Sequence, residues 1–551
     1  MYEFSFNAHD IYLSLSSGLE IAIRALGENT IYLPDPNSII ITRNISGGEA
    51  YISKLRIAGT ESICNGLIEV KWSEIPSGGY VVSSTTSLNE PCRSIVYLID
   101  GVMPKTVEYI ALDGVKSVSD VNFVRQQIRP INYPRFTKMP LWFVTSDIEN
   151  NSQFYFLWRT CNLESINFGS YYDSRRKSQL IALSYHVRSN EKKRKVVTPT
   201  LEFGPCNDRR IVVAKRLNDL EKEGRLVPYK SRNDKPAWLD EIRLTINLHG
   251  QHWTGFVHNT FRDMSKALEQ LGTDLRPNSS LCILLGWDGP YYRSSLSLIP
   301  SVQLGGETDF MQLKQTISKL GSKLVVFSPL NTLDIETVRR FGWQNGTLKR
   351  PWGAEACCDW SDWDSDLENE PSVFMNLGYQ PFRDYLLTRY SYLVKKFDID
   401  GVYLDITNYW EDDPYYDHFE GLLILVESLR AMKPDFLVCA ENWYDLLLGV
   451  FPLFGEPGNV MGFYDLMLRY ALSAAYIACP SPLGSSGVHQ KGRNYIGDLT
   501  LKPSNIPYLA ITEDWRDCIN HLKDIIHKAM TWNSSVMSRS EIDSFINTES
   551  K

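Results

Sequence analysis

Five apolar runs in the second half of the chain constrain its fold most tightly: Ile242-Arg-Leu-Thr-Ile-Asn-Leu248, Leu281-Cys-Ile-Leu-Leu-Gly-Trp287, Lys323-Leu-Val-Val-Phe327, Gly401-Val-Tyr-Leu404 and Phe436-Leu-Val-Cys-Ala440. Amphipathic stretches of helical period, such as Asp309 to Lys319, lie between them. Continuous apolar strands alternating with helices are the pattern of a parallel sheet built from βα units. Residues 239–535 supply the length of an eight-stranded TIM barrel, an α/β fold. The segments Phe463-Tyr464, Ala475 to Cys479 and Ile506 to Ile511 are the expected remaining strands, before a closing helix from Arg516 to Trp532. A doubly wound sheet is the alternative, but no glycine-rich phosphate fingerprint follows the first strand.

The first half reads differently. Residues 1–213 repeat short segments rich in β-branched and aromatic residues, among them Leu67 to Trp72, Leu141 to Val144 and Phe154 to Trp158, bounded by Gly, Pro, Asn and Asp. Such spacing predicts an antiparallel β-sandwich domain. A charged, helix-prone stretch and a Pro-containing loop over residues 214–238 mark the linker, and residues 536–551 form a polar tail.

Composition narrows the function classes. A net charge of -8 argues against a sequence-independent grip on nucleic acid, which needs a basic surface. No apolar run approaches the roughly 20 residues that span a bilayer. The first residues show no cationic segment followed by an apolar core, so a cytoplasmic location is expected. Ten cysteines lack CxxC pairs and His partners at metal spacing, which predicts free thiols, no metal and no cofactor.

The C-terminal strand ends form the catalytic face of a barrel. Strand one leads there into His249-Gly-Gln-His252-Trp253, strand two into Trp287-Asp288, and strand three into Ser328-Pro-Leu-Asn331. Strand four ends in Asp405, with Trp410 beyond, and strand five in Glu441-Asn442-Trp443. The two acids stand 36 residues apart, the interval of one βα unit, so consecutive strands bring both to one rim. Two facing carboxylates are the equipment for cleaving a glycosidic bond.

Asp405 alone reads equally well as a helix cap. Glu is a poor cap, and the apolar strand before Glu441 is expected to desolvate its carboxyl and raise its pKa, as a general acid requires. Asp398 and Asp400 precede strand four and belong to the opposite, stability face. Asp288, Trp287, His249, Trp253, Asn331, Trp410, Trp443 and His489 are the candidate substrate contacts. Eight of the 14 tryptophans (253, 287, 343, 352, 360, 363, 410 and 443) fall in rim loops, where a ring face can pack on a pyranose or simply join loops together.

The barrel half resembles the glycoside hydrolase barrels of the α-amylase, α-galactosidase and endo-α-N-acetylgalactosaminidase group. The resemblance rests on Phe397-Asp-Ile-Asp-Gly-Val-Tyr-Leu-Asp405 and Val438-Cys-Ala-Glu441, with Leu285-Gly-Trp-Asp-Gly-Pro-Tyr-Tyr292 and Leu304-Gly-Gly-Glu307 in keeping. It implies a retaining hydrolase acting on α-linked sugars, with Asp405 as nucleophile and Glu441 as acid/base. The α-galactosidase branch draws its acid from strand six, which makes Asp465 a competitor. Tyr403 stands where the amylase branch has arginine, and no strand-seven aspartate is evident; Asp498 and Asp514 are poorly spaced. Two other classes stay open: a carbohydrate-binding protein without turnover, and a barrel lyase or hydrolase of another kind.

Overall fold

The computed structural model describes residues 4–6, 10–15, 18–44, 46–111, 114–119, 131–146, 152–252, 255–290, 296–359, 371–455, 464–478 and 505–531. Eighteen strands between Phe4 and Pro205 form one antiparallel network. One layer runs through Pro104–Ala111, Leu141–Ser146, Gln153–Arg159, Thr200–Pro205, Tyr80–Ser87, Ile63–Glu74 and Gly47–Ile57. The other runs through Ile131–Tyr133, Ser165–Asp173, Ser178–His186, Ser94–Asp100, Glu20–Leu26 and Ile31–Pro34. They join where Ile31–Pro34 pairs with Gly47–Ile57, so the sheet folds back on itself.

Strict alternation, as in Tyr80–Ser87 where every second residue is buried, gives each layer one inward face. Aromatic rings from the two inward faces meet in the middle. Trp142 stacks on Phe168 at 5.5 Å, and Trp158 lies 5.6 Å from Tyr97 and 6.2 Å from Tyr185. This is the expected sandwich.

The helix Arg209–Lys222 follows, its first turn capped by the Asp208 carboxylate accepting from the Arg210 amide at 2.8 Å. It spans the expected boundary between residues 213 and 214.

Eight parallel strands then close into a barrel: Leu244–His249, Ser280–Leu285, Lys323–Ser328, Gly401–Leu404, Leu437–Ala440, Leu453–Gly455, Leu472–Ala478 and Ile506–Ile511. One expectation fails. Strand six is Leu453–Gly455, whereas Tyr464 opens the short helix Tyr464–Met467 and Phe463 lies outside the described residues. A three-residue strand carries too little periodicity to stand out in sequence.

Alternate strand residues serve two cores. Ile246, Leu284, Val326, Val402 and Val438 pack with the surrounding helices, while Ile283, Phe327, Tyr403, Cys439 and Tyr508 form a separate cluster, the barrel interior. Gly401 is required by close approach, because a Cβ there would meet the Leu437 carbonyl oxygen at 2.3 Å. Between strands three and four, the short strands Thr332–Asp334, Cys357–Asp359 and Pro371–Phe374 make a small antiparallel sheet that the sequence pattern did not announce.

Candidate active site

Register places the two acids side by side. Strand four pairs with strand five as Tyr403 with Cys439 and Leu404 with Ala440, so Asp405 and Glu441 are the next residues of the same ladder. Tyr403 and Cys439 face the barrel interior, and a period of two turns both carboxylates the same way, one level above the Phe327, Tyr403 and Cys439 layer.

Hydrogen bonds then couple the tips. Asp405, fully buried, donates its amide to the Ser328 carbonyl at 3.0 Å, which ties strand four to strand three. The Ile406 amide donates to Glu441 Oε2 at 3.0 Å, and Asn442 Nδ2 donates to the same oxygen at 2.6 Å. Thr407 Oγ1 donates to the Asn442 carbonyl at 2.6 Å, closing a second link between the loops. Ile406 adopts φ 50°, a left-handed conformation that a β-branched residue rarely takes and that costs of order 1–3 kcal/mol.

The Glu441 carboxyl is half-buried and accepts two N–H bonds. Just beyond strand two, burial pushes the Asp288 carboxyl up to about 6, against the stabilising Leu298 amide at 3.3 Å.

The remaining candidates divide. His249 ends strand one, buried, with its ring 5.9 Å from that of His258; burial first, then His258 and His252, hold it well below the usual histidine range. Its Nε2 is buried without a hydrogen bond among the described residues. Asn331 donates Nδ2 to the Met375 carbonyl at 2.9 Å.

Trp287 is buried and gives its indole N–H to the Phe327 carbonyl at 2.9 Å. Trp410 lies under the Arg188 guanidinium at 5.3 Å, and Trp443 packs among Leu448, Phe454 and Met467; both are buried. Their rings join loops in this structure. Trp253, His489 and Asp498 lie outside the described residues, as does the side chain of Asp465. Asp400 is held by Lys314 at 2.6 Å at the start of strand four, on the stability face as expected. Among the described residues, no three His, Cys, Asp or Glu side chains gather as metal ligands, and no helix is long and apolar enough to cross a membrane. The eight cysteines whose side chains are described are free thiols.

Sequence reasoning missed the part the sandwich domain takes. Four residues past Glu441, Asp445 is fully buried, 2.8 Å from Arg216 of the linker helix and 2.6 Å from the Tyr133 hydroxyl. The loop after strand four is held likewise: Arg135 reaches Glu411 at 2.9 Å, and Arg188 reaches Asp412 at 3.0 Å. These partners are more than 200 residues apart in sequence, which no local pattern reports.

No family model and no curated protein matches the chain. Solved structures do. The alpha-N-acetylgalactosaminidase NagBb from Bifidobacterium bifidum, in complex with Gal-NHAc-DNJ, is similar with a TM-score of 0.65 at 10% identity, over 97% of this chain and 94% of that one. The galactosidase domain of the alpha-galactosidase-sucrose kinase AgaSK gives 0.52 at 11% identity, over 98% and 75%. The GH36 alpha-galactosidase AgaA from Geobacillus stearothermophilus gives 0.51 at 12%, over 96% and 76%. The shared feature is the fold, a β-rich domain followed by the barrel.

Proposed function

We propose that the chain is a retaining glycoside hydrolase that removes an α-linked galactose-type sugar, with Asp405 as nucleophile and Glu441 as acid/base. The observation that carries this reading is the Ile406 amide bond to Glu441, which fixes the acid to the residue beside the nucleophile. The sugar class is drawn from the galactosidase and N-acetylgalactosaminidase structures that share the fold.

In the first step an Asp405 oxygen attacks the anomeric carbon. The bond to the leaving oxygen breaks, and that oxygen takes the proton from Glu441. In the second step Glu441, now a carboxylate, takes a proton from water, whose oxygen attacks the same carbon and releases Asp405. In this reading Asp288 and His249, at the tips of strands two and one, hold sugar hydroxyls, His249 as a neutral imidazole. Asn331, Trp253 and His489 complete the proposed substrate contacts, while the buried Trp287, Trp410 and Trp443 hold the loops that carry them.

The test is proton NMR of the first turnovers on p-nitrophenyl α-galactoside and α-N-acetylgalactosaminide. Release of the α-anomer supports retention, and release of the β-anomer contradicts it. Sugar binding by calorimetry with no cleavage of either glycoside would assign the chain to carbohydrate binding without turnover.

A further inference from the structure

The hairpin of residues 347–356 is built on the active-site rim. Its Leu348 and Ala356, with Phe374 of the small sheet, form an apolar cluster against Ile406 and Tyr409, the residues that follow Asp405. Phe374 stacks on Tyr409 with ring centres 4.0 Å apart. The Lys349 amide donates to Asp413 Oδ2 at 2.7 Å, a second anchor to the same loop. The tip therefore has a fixed position relative to the nucleophile.

That tip, Arg350-Pro-Trp-Gly353, carries an exposed ring and a guanidinium with an open donor. Gly353 turns the chain at φ 87°, and the Gly353 amide donates to the Arg350 carbonyl at 2.8 Å. Trp352 is 72% exposed, an apolar surface of a size that packing normally covers. The Arg350 guanidinium lies 5.7 Å from the Trp352 ring, and its Nε is buried without a hydrogen bond. Arg135 pairs with Glu411 at 2.9 Å, and the Arg350 charge also acts on Glu411 and Tyr409 without a hydrogen bond to either. A flat aromatic face beside a guanidinium with an open N–H is the chemistry that recognises a pyranose ring: the ring's C–H face packs on the indole, and a hydroxyl takes the N–H.

We propose that Arg350 and Trp352 form an outer subsite that holds a second sugar unit, on the leaving-group side of the bond Asp405 attacks. The proposal rests on the hydrolase reading above. It makes an extended glycan, rather than a simple glycoside, the preferred substrate.

The experiment compares two substrates with the same terminal sugar. One is the α-glycosyl fluoride, whose leaving group is too small to reach the hairpin. The other is an α-linked oligosaccharide, raffinose for galactose or its N-acetylgalactosaminyl counterpart. In Trp352→Ala and Arg350→Ala, shown folded by thermal melting, the oligosaccharide-to-fluoride ratio of kcat/KM is expected to fall at least tenfold, with Trp352→Phe recovering part of the loss. An unchanged ratio overturns the proposal, and so does an equal loss on both substrates, which would mean the hairpin acts through Ile406. If the parent cleaves neither substrate, the hydrolase reading fails by itself. Calorimetric titration of the oligosaccharide then decides: tenfold weaker binding by Trp352→Ala supports the subsite, and equal binding overturns it.

Discussion

The Ile406 amide donates to Glu441 Oε2 at 3.0 Å, so the residue after one strand-tip acid holds the other acid in place. Ile406 sits in a left-handed conformation, a strain of the kind proteins keep at functional sites. Loss of either carboxylate has a distinct consequence. Glu441→Gln is expected to lower kcat/KM, which reports the first step alone, by about 10²–10⁴ on oligosaccharides and much less on glycosyl fluorides, whose leaving group needs little protonation. Steady-state kinetics on both substrates checks it; equal losses would take the acid role from Glu441.

Asp288 predicts a trade between stability and activity. Burial raises its carboxyl to about 6, so the folded state holds a proton that the unfolded state has released between about pH 4 and 6. Stability from this group is present at low pH and lost as pH rises through 6. Asp288→Asn removes the cost of the buried charge and is expected to raise unfolding free energy at pH 7 by on the order of 2 kcal/mol. It is also expected to lower kcat/KM tenfold or more. Urea unfolding and kinetics on the same variant read the two effects.

Two buried histidines set the opposite slope. Burial lowers His186 and His418 to about 4, so between that value and the unfolded value near 6.5 the unfolded state binds more protons. Stability is expected to fall as pH drops through this window, by about 1.4 kcal/mol per pH unit for each group. His418 Nδ1 accepts the Leu377 amide at 3.1 Å, which an asparagine oxygen can replace. Denaturant titrations at pH 7, 6 and 5 are expected to show a shallower slope in His418→Asn.

The Arg216 and Asp445 pair links the sandwich side of the molecule to the loop after strand five. Arg216→Ala leaves a buried carboxylate without its cation and is expected to cost about 3–5 kcal/mol. Replacing both, as Arg216→Met with Asp445→Leu, is expected to recover most of that, because no charge is left buried. Equilibrium unfolding of the single and double variants measures the difference.

The legible parts of this molecule were those written in local pattern. Uniform apolar runs such as Leu281 to Leu285 announced parallel strands, and alternation as in Tyr80 to Ser87 announced the sandwich. Asp405 and Glu441 were found because each ends such a run. Strand six escaped because Leu453–Gly455 is too short for a period. The tryptophans were legible as rim residues, but burial of Trp287, Trp410 and Trp443 depends on distant partners such as Phe327 and Arg188. The Arg350-Pro-Trp-Gly353 turn has a recognisable Pro and Gly signature, yet only the fold shows its flanking Leu348 and Ala356 packed against Ile406.

The central claim is that Asp405 forms a covalent bond to the sugar. Incubating the protein with a 5-fluoro-α-galactosyl fluoride or its N-acetylgalactosaminyl counterpart slows the second step and lets the intermediate accumulate. Peptide mass spectrometry is then expected to find one sugar attached to the peptide that carries Asp405, and none in Asp405→Asn. A label on another acid, Asp465 or Glu441 included, or turnover of the ordinary substrate by Asp405→Asn at the parent's rate, would contradict the account.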